Sequence, residues 1–132
     1  MSVRTWRTGG TGGQSLVEFA LVVPILLLLI IGIAEFGRAW MAYNVVTGAA
    51  REAVRIAAVN SASTTTDNTW AGRATAIMAS ANLTGPAPQL VDGGQWVSVT
   101  VACDFTPTVA GFIPGLDGPI TLSSTTTMRK EY

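Results

Sequence analysis

Histidine is absent from this chain and Cys103 is its only cysteine. Those two gaps exclude imidazole acid–base chemistry, metal sites built on His or on several Cys, and any intramolecular disulfide. Charge is scarce as well: 12% of the 132 residues are Asp, Glu, Lys or Arg, against about 25% in an ordinary globular domain. The eight basic residues balance eight acidic ones and are scattered, so no basic patch exists to bind nucleic acid. Catalysis would rest on carboxylates. The aspartates at 67, 92, 104 and 117 stand far apart in sequence, and an enzyme would need them to converge in one pocket. No cofactor, metal or small-molecule substrate is therefore expected. What the chain has in excess is apolar residues, 48% of the total. That balance points to a membrane-associated chain with one small folded part of fewer than about 100 residues.

Four segments follow one another. Residues 1–13, MSVRTWRTGGTGG, carry two arginines and four glycines with no apolar periodicity, which reads as a short basic leader. Its GGTGG lacks the Lys and Ser/Thr of a phosphate loop. Residues 16–34 are apolar or Gly except for Glu18 and Pro24. With Leu16 opening the run and Ala34 closing it, a helix here is about 28 Å long, close to the ~30 Å hydrocarbon core. A buried core helix is the competing reading, but PILLLLIIGIA is apolar on every side and a domain this small cannot surround it. Phe36, Arg38, Trp40 and Tyr43 then supply the side chains expected where hydrocarbon meets water.

The Ala-rich stretch beyond lacks proline and pairs Glu52 with Arg55 at i,i+3, so a single rod over about 15–59 is expected. Its small residues (Ala39, Ala42, Gly48, Ala49, Ala50, Ala53 and Ala57) suit close approach, either by neighbouring helices or by the chain's own small domain. A polar linker ending in Asp67 or Asn68 as a cap precedes a second helix over about 69–82, with Trp70, Ala74, Ile77, Met78 and Ala81 on its apolar face. Asp92, Gly93 and Gly94 offer a tight turn. In QWVSVTVACDF, Val97, Val99, Val101, Cys103 and Phe105 alternate with small or polar residues, the period of a half-buried strand. That pattern makes Cys103 a small core side chain. ITLSSTTTMRKEY returns as another β-branched strand. The fold class is thus α+β: a long N-terminal helix whose first half is transmembrane, then a small domain with a second helix and a short antiparallel sheet. Its parts are a leader at 1–13, the helix at 14–60 with its span at 16–34, and a small α+β domain at 61–132. In the loop between the last strands, Phe112, Ile113 and Leu116 form a candidate subunit contact, with folding back onto the sheet as the alternative.

Glu18 is the feature that composition does not explain. A carboxylate at a bilayer centre costs roughly 2.5–3.5 kcal/mol on insertion scales, less near an end. One account is a side chain that snorkels to the near headgroups. The other is a counterion: cleavage between Gly13 and Gln14 would leave a new α-amine five residues from Glu18, counted inclusively, and the amine of a neighbouring chain would neutralise the acid inside an assembly.

At these residues GGQSLVEFALVVP resembles the class III, type IV pilin-like signal, in which a prepilin peptidase cuts after Gly and Glu stands fifth in the mature chain. The longer GQSLVEFALVVPILLLLIIGIAEFGRAW, the AAREAVRIAA beyond it and the Thr-rich C-terminal end are similar to the TadE-like family of minor pilins or pseudopilins of the bacterial tight-adherence (Tad, type IVc) pilus. That resemblance implies cleavage at Gly13 and Gln14, and recognition and assembly through Glu18 and Phe19. It also implies other pilin subunits and the pilus assembly platform as partners, a role in pilus assembly, initiation or adhesion, and no enzymatic activity. The charge flanking the span does not decide topology, since Arg4 and Arg7 precede it and Arg38 and Arg51 follow. The resemblance places the N-terminus in the cytoplasm and the domain outside the inner membrane. The boundary after Ala34 is a poor secretory cleavage site, so the span is retained. The alternative function is an unprocessed single-span anchor whose outer domain binds a partner.

Overall fold

The first described element is an α-helix, α1, running Thr11–Val59 without interruption. The computed structural model describes residues 11–59, 69–110 and 118–130, with Thr11 and Gly12 described by their backbone only. Pro24 lies inside α1 and removes the N–H that would reach the Ala20 carbonyl, yet the helix continues. In hydrocarbon no other geometry satisfies the backbone of a single apolar segment. The helix begins a turn earlier than the expected rod and ends where the sequence places its end.

The molecule divides after Ala34 into two compact units. In the first, the large side chains of α1 stand outward, from Leu16 at 70% exposure to Ile31 at 41%. The helix is long and apolar enough to cross a membrane, and its most apolar window is wholly unburied.

The second unit contains the rest of α1, a helix α2 (Thr69–Ser80), and strands β1 (Gln89–Asp92), β2 (Trp96–Phe105) and β3 (Ile120–Arg129). The three strands form one antiparallel sheet in the order β1-β2-β3. Its core joins Ala42, Val46, Ala49, Ala50, Ala53, Val54, Ala57 and Ala58 of α1 to Trp70, Ala74 and Met78 of α2 and to the inner face of β2. Small side chains on α1 let the sheet and α2 come close to the helix backbone, so five of the seven small residues that suit close approach (Ala42, Ala49, Ala50, Ala53 and Ala57) are spent on the chain's own domain. The alternation predicted for β2 holds throughout: Val97, Val99, Val101 and Cys103 are fully buried and Phe105 nearly so. Burial, with Asp104 adding to it, pushes the Cys103 thiol above its ordinary range, the opposite of what a reactive thiolate needs.

Helix α2 stops two residues short of the sequence expectation. Asn82 takes a left-handed conformation (φ 56°), its N–H bonds the Ala79 carbonyl at 3.0 Å, and the Leu83 N–H bonds the Met78 carbonyl at 2.9 Å. This is the paired closure that ends a helix at an αL residue. The four-residue β1 is an element that sequence patterning missed. It pairs with β2 from Gln89 opposite Thr100 to Asp92 opposite Val97, through the turn that Asp92, Gly93 and Gly94 suggested. There Gly94 donates its N–H to Asp92 Oδ1 at 2.9 Å with φ at +80°. Before β1 the backbone already hugs β2: Asp104 donates to the Thr84 carbonyl at 2.8 Å. A Cβ on Gly85 would collide with the Ala102 carbonyl oxygen, so only glycine fits.

Strand β3 pairs with β2 in unbroken register from Trp96 opposite Arg129 to Phe105 opposite Ile120. On the outer face Ser98 bonds Thr127 and Thr100 bonds Thr125, hydroxyl to hydroxyl at 2.8 Å. Beyond β3, Lys130 is buried and donates from Nζ to Asp92 Oδ2 at 2.6 Å, tying the end of β3 to the β1–β2 turn.

Candidate functional site at the start of the long helix

Of the residues singled out from the sequence, Gly13, Gln14 and Glu18 lie in the first two turns of α1. Gly13 is helical, and a side chain placed there would meet nothing within 4 Å. Helical geometry puts positions i and i+4 on one face, and the Gln14 side chain donates from Nε2 to Glu18 Oε1 at 3.2 Å. The carboxylate thus has a neutral hydrogen-bond donor within its own chain, but no cation among the described residues of this unit. Leu16, Phe19, Pro24 and Ala34 are all exposed on the same helix. Phe19 follows Glu18 and points elsewhere around the helix, since adjacent residues do not share a face. Phe112, Ile113 and Leu116 lie outside the described residues, as do Asp67, Asn68 and Asp117. The sequence argument for an enzyme required four aspartates together. Of the two described, Asp92 closes β1 opposite Val97 while Asp104 sits near the far end of β2, about 23 Å away along an extended strand.

A second polar group was not foreseen in full. Arg38 donates from one guanidinium nitrogen to both oxygens of Glu35, at 2.8 and 2.9 Å, and to Thr108 Oγ1 at 2.6 Å. The Thr108 N–H bonds Glu35 Oε2 at 3.2 Å, and the same guanidinium stands 5.3 Å from the centre of the Phe105 ring. The i,i+3 spacing of Glu35 and Arg38 is readable from sequence. Their link to Thr108, seventy residues on, is not. Glu52 and Arg55 pair as their spacing predicts, at 3.2 Å.

Residues 13–55 match the sequence model of the TadE-like protein family. The matched TadE-like segment opens at Gly13, takes in Glu18 and the whole apolar run, and closes within α1 before α2 and the sheet begin. It agrees with the resemblance drawn from the same residues. Comparison with curated proteins and with solved structures gave no match. The TadE-like family is one of pilus components, not known as enzymatic, and it suggests a protein associated with a Tad pilus. Together with the apolar helix, it also suggests membrane anchoring.

Proposed function

We propose that this chain is a minor pilin or pseudopilin of a Tad (type IVc) pilus, cut between Gly13 and Gln14 by a prepilin peptidase and acting in pilus assembly, initiation or adhesion. The observation that carries the reading is the family match beginning at Gly13, on a helix whose only acid before Glu35 is Glu18. A peptidase needs an extended backbone at the bond it cuts, and here that bond starts out helical. Gly12 and Gly13 each weaken a helix by about 1 kcal/mol relative to Ala, so the first turn opens at small cost. Cleavage removes the arginines at 4 and 7 and exposes a cationic amine at Gln14. That amine, on an adjacent copy or companion subunit, is the counterion that Glu18 lacks among the described residues of its own unit. An acid satisfied only by an interchain partner favours the assembled register over random packing. In this reading the span lies in the inner membrane, with its N-terminus cytoplasmic and the second unit outside.

The deciding experiment is mass spectrometry of the protein recovered from membranes of its own host. A mature N-terminus at Gln14 is the expected result, and retention of Met1 or Ser2 throughout would overturn the reading in favour of an unprocessed anchor. Gly13→Leu sharpens the test, because the position has room for a side chain. The uncut form should accumulate while membrane insertion is unchanged.

A further inference from the structure

On α1 the exposed large apolar side chains do not stop at the end of the first unit. They continue through Phe36, Trp40, Met41 and Tyr43, and beyond Tyr43 only Val59 remains. Phe36 stacks on Trp40 with ring centroids 6.2 Å apart, and Trp40 leans on Tyr43 at 6.4 Å, so one face of the helix carries a continuous aromatic strip. Residues 16–34 account for about 28 Å of helix, enough for the hydrocarbon core alone. Residues 16–43 account for about 42 Å, the thickness of a bilayer with its headgroup regions, about 40–45 Å. Aromatic rings with a polar edge are the side chains that this layer selects.

Phe36 to Tyr43 belong to the second unit, so whatever surrounds them also surrounds the parts of that unit packed at the same level of α1. These are the Glu35, Arg38 and Thr108 corner, the Phe105 ring beneath Arg38, and an adjoining groove of about 230 Å³ lined in part by Met41, Leu83 and Phe105. The corner carries one positive and one negative group, already paired, and presents no net charge.

We propose that the second unit is seated within the lipid headgroup layer, with Phe36, Trp40 and Tyr43 and the Arg38 and Phe105 corner in contact with phospholipid. Apolar and aromatic burial holds it there. Charge attraction does not, so zwitterionic lipid serves as well as anionic. The internal pairing of Glu35 with Arg38 leaves that corner without net charge, so it adds no preference for anionic lipid. This inference needs a membrane-spanning α1 and is independent of peptidase processing.

The test uses the full chain in phosphatidylcholine vesicles at low protein density, with an environment-sensitive fluorophore on one introduced cysteine at a time. The native Cys103 is fully buried and does not compete for label. Trp40→Cys and Thr106→Cys probe the proposed contact. Gln95→Cys, at the opposite end of β2, is the reference. Lipids with a nitroxide at the headgroup should quench the labels at 40 and 106 at least threefold more than the label at 95, unchanged by added phosphatidylglycerol or by salt. Quenching at 106 equal to that at 95 overturns the proposal. So does protection of position 40 that appears only as protein density rises, which would assign the strip to a second copy of the chain.

Discussion

Over residues 16–33 α1 turns nearly all its large side chains outward, whereas over residues 42–58 the same helix buries two valines and six alanines almost completely. Both halves are apolar, and both are helical. The half with bulky Leu and Ile is left uncovered by the described residues, and the half with small residues is sheathed by α2 and the sheet. Along α1, burial within the chain therefore follows side-chain size more closely than hydrophobicity: alanine admits a close neighbour, while a ring of leucines on all sides asks for a fluid solvent of its own kind. Glu18 is the exception in the exposed half, and the ion-paired charges of the second unit have no such problem because their partners lie in the same chain.

The contrast breaks first at its exception. Glu18→Val makes the exposed half uniformly apolar. Insertion should be at least as efficient, while piliation, counted by electron microscopy, should fall tenfold or more. Normal pili would show that the carboxylate has no role in assembly. Next comes a charge on the buried side: Val99→Asp puts an unpaired carboxylate where exposure is now zero, and should cost more than about 4 kcal/mol. Limited proteolysis should find the second unit unfolded with the span still inserted. Leu27→Ala removes a larger side chain from the exposed half, yet the thermal unfolding of the second unit should not move.

A smaller effect is expected at Gly85, where an added methyl collides with the Ala102 carbonyl and the Cys103 Cα rather than with a yielding side chain. Gly85→Ala should destabilise the second unit by about 1–3 kcal/mol in denaturant titration. The smallest effect concerns acid. The bond from Lys130, then the Gly94 N–H, holds the Asp92 carboxyl below the usual range. A depressed folded-state value means the contribution is complete above the unfolded value of about 4 and fades as pH falls below it. The melting temperature should drop from pH 5 to pH 2, and Lys130→Met should flatten part of that drop.

Much of this architecture is legible without coordinates, for reasons that lie in particular residues. Val97, Val99, Val101, Cys103 and Phe105 declare their strand because a pleated backbone turns alternate side chains to one face. The unbroken apolar run declares its helix because length and composition suffice. Strand β1 escaped because four residues with one half-buried side chain, Leu90, carry no period to read. The premature end of α2 escaped because Asn82 acts through its backbone angle rather than its hydrophobicity. At the candidate site, Gly13, Gln14 and Glu18 were visible as a spacing, and their helical face follows from it. Thr108 was invisible, since nothing local marks a threonine that will meet a distant ion pair.

The amino-acid order alone determined an apolar helix of membrane length, an acid near its start and an alternating strand, because each depends on neighbours within a few residues. Only the tertiary structure decided that the alanines of α1 face the chain's own sheet, that Gly85 lies against Ala102, and that Arg38 joins Glu35 to Thr108. Those are distances between segments far apart along the chain, and they are set only when the whole core packs together.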